Sequence, residues 1–251
     1  MNIVLFPQDE PFYTPKVVHA LIKARKDCIK AIVLTSPFKK GQSFISGALE
    51  YRSLWGNKAT MHMKKLFLAQ KVKTLGTVGK IAKHYRIPVL TPEDINDGTF
   101  VTALKRDFEP DLIVSISCSQ IMKKPLLAMP RLGCINLHGA LLPKYRGMLP
   151  SFWQLYDGEE EAGVTVHMIG PGIDDGDILL QKAFPMAKDE TQHSLIVKGK
   201  EVGAGLLLEA IEGLEKGTLV PRKNDVSKGS YHSMPTKEDV EKFYRSGKKL
   251  W

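Results

Sequence analysis

Two polar side chains, Asn136 and His138, end a short apolar stretch that begins at Cys134. On a β-strand, residues i and i+2 point to the same face, so the amide and the imidazole would lie side by side. This pairing suits a reaction in which an oxyanion develops beside a group that can move a proton. The loop that follows, residues 141–147, contains a proline and a glycine that restrict its path.

A second polar stretch lies between two apolar segments further along the chain. Residues 163–169 have the pattern of a strand, residues 170–177 form an acidic, glycine-rich loop, and residues 178–181 resume an apolar strand. A loop at the ends of two strands could bring one of its carboxylates to His138. The alternative is a solvated turn whose aspartates occupy ordinary turn positions.

Taken together and in order, these elements resemble the formyltransferase family that uses 10-formyltetrahydrofolate. The matching elements are Asn-x-His, Leu-Leu-Pro-x-x-x-Gly, Gly-Val-Thr-x-His and Ile-Asp-x-Gly-Asp. The family includes methionyl-tRNA formyltransferases, glycinamide ribonucleotide formyltransferases and sugar N-formyltransferases. The resemblance extends over residues 1–215 and is strongest over residues 129–181, where several spaced elements match in sequence.

The resemblance implies a role for each of three residues. Asn136 would donate its amide N–H to the oxyanion of a tetrahedral intermediate, and His138 would take or relay the proton of the attacking amine. Asp174 would orient His138 and favour its charged form. The alignment of the motif places Asp174, and not its neighbour Asp175, at the third catalytic position.

The resemblance also implies that 10-formyltetrahydrofolate is the formyl donor. In the family, main-chain atoms of the loop before the Asn-x-His strand hold the pterin, and the loop after the Gly-Val-Thr strand forms the other wall. The candidate folate contacts are Ser119, Gln120, Met122, Gly170, Gly172 and Asp174. For Gln120 and Met122, ordinary loop packing is the alternative.

The strand at 163–169 carries two further polar residues, Thr165 and His167, which alternate onto one face. Thr165 is a candidate for holding a water molecule near Asp174. For His167 we expect packing in the interior instead of a part in the reaction.

Positive charge is concentrated in one segment of the chain. The formal net charge is +9 and the pI is about 9.3, so anionic partners are expected. Residues 52–86 contain no Asp or Glu. The basic residues of this segment are Arg52, Lys58, Lys64, Lys65, Lys71, Lys73, Lys80, Lys83 and Arg86.

Three basic residues are candidates for binding the substrate. Lys64 and Lys71 share one stripe of a predicted helix that follows Met61. That helix has either a solvated lysine face or an arm that faces an anion beside the active site. Arg146 lies in the loop after the Asn-x-His pair and is a candidate ligand for a substrate phosphate, with a solvated arginine as the alternative.

Length and composition indicate one sizeable core. The chain has 251 residues, of which 43% are hydrophobic and 25% charged, as in ordinary globular proteins. We assign residues 1–216 to a catalytic domain and residues 217–251 to a short C-terminal extension. No apolar run approaches the ~18 residues of a membrane span, and the N-terminus lacks the basic region of a signal peptide, so no membrane association is predicted.

Cysteine usage favours a reducing compartment. The three cysteines, Cys28, Cys118 and Cys134, are widely spaced, and no C-x-x-C pattern occurs. Free thiols, no metal site and a cytoplasmic location are therefore predicted.

Apolar strands alternate with helical patterns from the N-terminus onward, and the first helix is predicted to start at Thr14 and Pro15. This order predicts an α/β fold with an open, mostly parallel doubly wound sheet and helices on both faces. No G-x-G-x-x-G pattern follows the first strand, so this Rossmann-like sheet is not expected to bind a dinucleotide. Ligands of such sheets bind beyond the carboxyl ends of the strands, where the loops 117–122, 136–147 and 170–177 should meet.

Capping patterns predict the ends of the later helices. Thr91, with an acid at Asp94, predicts the start of one helix, and Thr191 and Thr236 predict the starts of two more. Gly217 is predicted to end the long helix that Thr191 begins.

The sequence therefore predicts an enzyme that moves a formyl group from 10-formyltetrahydrofolate to a primary amine. By the resemblance, methionyl-tRNA formyltransferases add a C-terminal β-barrel, and the 34 residues of 218–251 are too few to form one. We therefore expect a nucleotide-linked amino sugar as the acceptor. The basic segment 52–86 keeps tRNA open as an alternative, and an oligomer is compatible with the sequence.

Two other classes of function stay open. Formyltetrahydrofolate hydrolases share the Asn, His and Asp pattern but carry an N-terminal regulatory domain, whereas this chain starts directly with a strand. A folate- or nucleotide-sugar-binding module without turnover is the second alternative, and the intact set of Asn136, His138 and Asp174 argues against it.

Overall fold

A central seven-stranded sheet organises the chain in the computed structural model, which describes residues 1–38 and 42–251 apart from the side chains of Phe44 and Lys71. The strands are β1 (Ile3–Pro7), β2 (Ile29–Val33), β3 (Val89–Leu90), β4 (Leu112–Ile116), β5 (Cys134–His138), β6 (Arg146–Gly147), β7 (Glu161–Met168), β8 (Ile178–Pro185) and β9 (Tyr231–His232). The helices are α1 (Thr14–Arg25), α2 (Phe44–Val72), α3 (Val78–Tyr85), α4 (Gly98–Phe108), α5 (Lys124–Leu127), α6 (Pro150–Asp157), α7 (Gln192–Lys216) and α8 (Lys237–Arg245).

The strand order of this sheet is β3-β2-β1-β4-β5-β7-β8. The pairs from β3 to β5 are parallel, whereas β7 runs antiparallel to both β5 and β8. The strands β1 and β4 are buried along their whole length, as continuous apolar strands covered on both faces must be. The predicted open and mostly parallel α/β sheet is confirmed.

Side chains of the central strands alternate between two apolar clusters, one on each face of the sheet. Leu5 and Val114 belong to the larger cluster, which also contains buried residues of α1, α3 and α7. Val4 and Ile113 belong to the smaller cluster, which contains Leu104 of α4 and a leucine of α5. Helices therefore cover both faces, as the sequence pattern predicts.

Most predicted helix ends are confirmed. The hydroxyls of Thr191 and Thr236 accept the N3 amide N–H of α7 and α8, and both ends are reciprocal capping boxes. Gly217 ends α7 in the left-handed conformation with φ of 66°. The helix α1 starts at Thr14 with Pro15 in its first turn.

The predicted helix start at Thr91 is wrong, because α4 begins only at Gly98. Its N-cap is Asp97, whose carboxylate accepts the amide N–H of Phe100 at 2.9 Å. The preceding turn is held by a contact distant in sequence, since the amide N–H of Ile95 donates to the side chain of Gln120 at 3.1 Å. A local capping pattern does not reveal such a contact.

The 29-residue helix α2 is kinked at Gly56, where φ is 86° and ψ is 175°. Trp55 and Ala59, on either side of the kink, are buried in the larger cluster. Several apolar residues of α2 are exposed instead, among them Leu49 and Leu68. No helix within residues 1–38 and 42–251 is long and apolar enough to cross a membrane.

The C-terminal residues pack onto the same core. Val240 and Phe243 of α8 are buried in the larger cluster, and the ring of Phe243 stacks on Phe152 of α6 at 4.7 Å between centroids. The short strand β9 pairs in parallel with β6, in register from Arg146 opposite Tyr231. The pairing of β6 with β9 places residues after α7 beside the loop that follows β5.

Candidate active site

The polar residues predicted to act together converge at the carboxyl end of β5. Within the antiparallel pair of β5 and β7, Asn136 lies opposite His167 and His138 lies opposite Thr165. The neighbouring strand β4 places Ser115 opposite Asn136, so the loop 117–122 starts beside β5. The loop 170–177 connects β7 to β8 and carries its aspartates to the same place.

The two ring nitrogens of His138 have different partners, and only 5% of the residue is exposed. Nε2 lies 2.8 Å from the carbonyl oxygen of Tyr145, and because a carbonyl only accepts, Nε2 carries the hydrogen. Nδ1 lies 3.4 Å from Oδ2 of Asp174. In the neutral ring, the lone pair is therefore on Nδ1, which makes Nδ1 the nitrogen able to accept a proton.

Asp174 is held from three directions. Its Oδ2 accepts the amide N–H of Gly147 at 2.8 Å, and its main-chain carbonyl accepts the side-chain N–H of Asn224 at 2.9 Å. Its Oδ1 lies 3.4 Å from Nε2 of His167. The backbone of Asp174 adopts the left-handed conformation with φ of 49°, which aims the carboxylate at His138.

The neighbouring Asp175 points into its own loop. Its Oδ2 accepts the amide N–H of Gly172 at 2.9 Å. A Cβ atom added at Gly170 or Gly172 would lie 2.3 Å or 2.5 Å from an oxygen of this carboxylate, so the two glycines leave the space that Asp175 fills. The structure thus brings Asp174 to His138 and holds Asp175 in the turn. Gly170 and Gly172 shape the wall for which the sequence proposed folate contact.

Burial and the neighbouring groups set the charge of this cluster. Burial lowers the pKa of His138, Asp174 opposes that shift, and His167 and Lys200 add to it. Burial also raises the pKa of Asp174, but the neighbouring imidazoles of His167 and His138 and the N–H of Gly147 together lower this pKa to about 2. At neutral pH the site therefore combines an ionised carboxylate with a neutral imidazole.

His167 is a member of the cluster, which the sequence did not predict. Its Nδ1 lies 2.7 Å from the carbonyl oxygen of Met168 and so donates its hydrogen there. In the neutral ring, Nε2 then accepts the amide N–H of Asn136 at 3.2 Å. His167 is buried, as expected, but it contacts both Asn136 and Asp174. The position of His167 opposite Asn136 in the pair of β5 and β7 is the feature from which this contact could have been predicted.

Thr165, the candidate for holding a water molecule near Asp174, directs its hydroxyl to the loop that follows β5. Its hydroxyl donates to the carbonyl of Ala140 at 2.6 Å and accepts the amide N–H of Leu142 at 3.1 Å. The side-chain N–H of Gln181 also donates to it at 2.9 Å. Thr165 therefore fixes the start of the loop after His138, which contains a cis peptide bond between Leu142 and Pro143.

The loop 117–122 turns its polar side chains toward the protein. The hydroxyl of Ser119 donates to the carbonyl of Ser36 at 2.5 Å, and the amide of Gln120 donates to the carbonyl of Glu93 at 3.1 Å. Met122 is buried in the smaller apolar cluster. The side chains of the three candidates thus build the loop, and a folate contact at Ser119, Gln120 or Met122 would have to come from main-chain atoms, as the resemblance implies.

Two exposed isoleucines lie on the loops that are candidates for contact with a folate. Ile121 is 64% exposed and Ile173 is 42% exposed, and they stand on the two loops for which the resemblance implies pterin contact. Such apolar side chains pack well against an aromatic, partly apolar ring system. The residues present therefore fit the predicted formyl donor.

The three candidate substrate contacts have different surroundings. The Nε of Arg146 is buried without a partner in the described part of the chain, and its guanidinium lies 6.0 Å from the ring centroid of Tyr231. Lys64 is exposed on α2, and its side chain forms neither an ion pair nor a hydrogen bond with residues 1–38 or 42–251. The side chain of Lys71 lies outside the described residues.

A lysine that the sequence did not single out reaches the edge of the site. The Nζ of Lys200 donates to the hydroxyl of Ser117 at 2.8 Å, directly after β4. Burial lowers the pKa of Lys200 to about 8, against the opposing charge of Glu10. Glu10 itself accepts the amide N–H groups of Phe12 and Tyr13 at the start of α1. No group of three or more metal-ligating side chains occurs among the described residues.

Comparison with known proteins places this geometry in a family. A family model described as formyl transferase matches residues 53–211, which include Asn136, His138 and Asp174. The methionyl-tRNA formyltransferase of Citrifermentans bemidjiense is 42% identical over 159 residues, covering 63% of this chain and 50% of that protein. The chain spans about half the length of the curated relatives it matches.

Solved structures share the fold at low sequence identity. Glycinamide ribonucleotide transformylase 1 from Symbiobacterium toebii superposes with a TM-score of 0.63 at 19% identity, covering 90% of this chain and 95% of that chain. An N-formyltransferase from Helicobacter canadensis, in complex with folinic acid and dTDP-3-aminofucose, gives a TM-score of 0.62 at 20% identity, covering 93% and 71%. With a family model that matches well over half of its residues, the chain belongs to the formyl transferase family.

Proposed function

We propose that the protein transfers a formyl group from 10-formyltetrahydrofolate to a primary amine. The observation that carries this proposal is the cluster of Asn136, Asp174 and the buried His138 at the carboxyl end of β5. Membership of the formyl transferase family supports it. The bound folate would supply an activated formyl group, and the loops 119–122 and 170–174 would hold it.

Each residue of the cluster has a definite task in this reaction. When an amine attacks a formyl carbon, the amide N–H of Asn136 stabilises the oxyanion that develops. His138 accepts the proton released by the attacking nitrogen, at Nδ1, and returns it to the departing nitrogen. Asp174, ionised at neutral pH, stabilises the imidazolium while it exists. The proton therefore ends on the leaving group, and His138 returns to its neutral form.

The experiment that tests this function follows release of tetrahydrofolate from 10-formyltetrahydrofolate, with and without a panel of amines. We expect release that depends on an amine and an equal amount of formylated product. Release without any amine would instead identify a hydrolase. Folate binding without release in the presence of any amine would identify a binding module.

For the acceptor, we propose a nucleotide-linked amino sugar. Most of the basic residues of segment 52–86 lie on α2 and α3, and some are used within the protein, as Arg52 is by its hydrogen bond to Asn57 at 2.6 Å. A nucleotide sugar presents only two phosphates, so it would engage just one or two of the exposed cations that are left. The free cysteines of the chain favour a cytoplasmic location.

The second candidate acceptor is an aminoacylated tRNA. It is favoured by one specific observation, the 42% identity to methionyl-tRNA formyltransferases over 159 and 169 residues. The two acceptors differ most in the number of phosphates they present, so the dependence of acceptor binding on salt separates them.

A further inference from the structure

The loop after His138 supplies a partner to each half of the His138–Asp174 pair. The carbonyl of Tyr145 accepts the Nε2–H of His138 at 2.8 Å, and the amide N–H of Gly147, two residues later, donates to Asp174 at 2.8 Å. Both partners are main-chain atoms. The path of this short stretch of backbone therefore decides how the imidazole and the carboxylate face each other.

The C-terminal segment 229–232, which includes β9, holds that stretch of backbone in place. The amide N–H of Tyr145 donates to the hydroxyl of Ser230 at 2.9 Å, and the next amide N–H, of Arg146, donates to the carbonyl of Ser230 at 3.0 Å. The amide N–H of Met148 donates to the carbonyl of His232 at 2.8 Å. Three backbone donors within four residues are thus satisfied by one segment.

Ring stacking and close backbone contact add to these hydrogen bonds. The imidazole of His232 stacks on Tyr145 at 5.4 Å and on Trp153 at 4.7 Å between ring centroids. A Cβ atom added at Gly229 would lie 1.9 Å from the carbonyl oxygen of Pro143, so the segment leaves no space between itself and the loop. The segment 229–232 is therefore seated against the whole loop.

We infer that Ser230 is a positioning residue that fixes the carbonyl of Tyr145 and thereby selects the Nε2–H tautomer of His138. Its importance for turnover rests on the proposed formyl transfer, but the selection of the tautomer does not. Ser230 lies outside the region matched by the family model, which ends at residue 211. The extension 217–251 would then supply part of the active-site framework of the catalytic domain 1–216.

The tautomer decides which nitrogen of His138 can act. With the hydrogen on Nε2, the lone pair of Nδ1 lies on the side of Asp174, so a proton taken there is stabilised by the carboxylate. With the hydrogen on Nδ1, the lone pair of Nε2 would face the carbonyl of Tyr145 at 2.8 Å, a closer contact between two acceptors than the 3.4 Å between Nδ1 and Oδ2 of Asp174. Loss of the Tyr145 position would allow the second tautomer, in which the lone pair lies on Nε2 and away from Asp174.

Ser230 can be replaced without changing the charges around His138. The charged or titratable groups that act on this imidazole are Asp174, His167 and Lys200. None of them belongs to the segment 229–232. A change at Ser230 that alters the titration of His138 therefore reports on hydrogen bonding of the ring and not on a lost charge.

The experiment compares ¹⁵N chemical shifts of the His138 ring in the wild type and Ser230→Ala, at a pH above the ordinary histidine value of about 6.5. The His138→Gln spectrum assigns the signals. We expect the Nε2–H tautomer in the wild type, a mixture of tautomers in Ser230→Ala, and wild-type signals in Ser230→Thr, which keeps the hydroxyl. Ser233→Ala, which removes an exposed hydroxyl directly after the segment, is the matched control.

Turnover and a second variant complete the test. Ser230→Ala should lower kcat about 5- to 10-fold with KM for the folate unchanged, as expected for loss of a hydroxyl that bonds the N–H of Tyr145 and Nε2 of His232. Gly229→Ala, which displaces the segment without removing a polar group, should produce the same mixture of tautomers. An unchanged tautomer in both variants would overturn the inference. A changed tautomer in a protein that formylates no amine would support the inference and contradict the proposed function.

Discussion

Asn136 donates its side-chain N–H to Nε2 of His167 at 3.2 Å, across the pair of strands that ends in the active site. A 180° flip of an amide side chain exchanges the positions of its NH2 group and its oxygen. A fixed hydrogen-bond partner is therefore needed to set its orientation. The other ring nitrogen of His167 is bound to the carbonyl of Met168, which leaves Nε2 as the acceptor. His167 therefore fixes the orientation of the Asn136 amide, and the second N–H of the same nitrogen is left for the oxyanion of the proposed reaction.

Replacement of His167 by Phe tests this relationship. The variant keeps a ring of similar volume but leaves Asn136 without its acceptor and Asp174 without a neighbouring ring nitrogen. We expect kcat to fall about 10- to 100-fold, because two polar groups of the cluster lose a partner. His19→Phe is the control, since it breaks the hydrogen bond of a half-buried histidine to Tyr85. An equal loss of kcat in both variants would show that His167 contributes only to packing.

Replacement of His138 by Ala should lower turnover at least about 100-fold and leave folate binding little changed, because the proton acceptor is lost while the folate loops remain. Steady-state kinetics and equilibrium folate binding are the two measurements. His84→Ala removes an exposed histidine of α3 and should behave as the wild type. Near-normal turnover of purified His138→Ala would remove this residue from the mechanism.

The two adjacent aspartates should respond differently to the same change. Asp174→Asn should lower kcat about 100-fold, because an amide cannot stabilise the imidazolium of His138. In Asp175→Asn the amide oxygen can still accept the N–H of Gly172, so activity should change only slightly. Each variant is measured with the same amine and at the same pH. Greater damage from Asp175→Asn would show that the alignment of the loop is shifted by one residue.

The dependence of kcat/KM on pH should reveal the environment of His138. Its pKa is lowered by burial from the ordinary value of 6.5, and the neutral ring is the active form. Activity should therefore persist as pH falls through 6.5 and be lost only at lower pH. Because Asp174 raises this pKa, the residual activity of Asp174→Asn should decline at a still lower pH. An acid limb above 6.5 in the wild type would contradict this assignment.

Salt dependence of acceptor binding should separate the two candidate acceptors. A nucleotide sugar engages one or two cations, so log Kd should change only shallowly with log salt concentration, whereas a tRNA should give a slope of several units. We expect the shallow slope and little effect of replacing Lys58 and Lys64 together by Gln. Lys105→Gln, on the exposed face of α4, is the control. Tight, steeply salt-dependent tRNA binding that weakens in the Lys58 and Lys64 variant would reverse the choice of acceptor.

Features that depend on local sequence could be predicted. The period of two along a strand places Asn136 and His138 on one face, and capping by Thr191 and Thr236 follows from hydrogen bonds within a few residues. The buried apolar strands predict the parallel centre of the sheet for the same reason. These elements are stabilised by contacts that a short window of sequence already contains.

Features that depend on distant contacts could not be predicted. The contact of His167 with Asn136 depends on the register of two antiparallel strands. The start of α4 at Gly98, later than predicted, depends on the hydrogen bond of Ile95 to Gln120. The partners of His138 and Asp174 are main-chain atoms of Tyr145 and Gly147, whose side chains give no hint of them. A residue type reveals what a side chain can do, but not where the backbone of another segment lies.

The bond between Tyr145 and Ser230 joins residues that are 85 positions apart in the chain. Contacts of such long range form late in folding, because closing the intervening loop costs conformational entropy. On refolding, the circular dichroism of the helices should therefore recover before turnover does. During synthesis, a nascent chain would acquire the proposed arrangement of His138 and Asp174 only after residue 232 has left the ribosome.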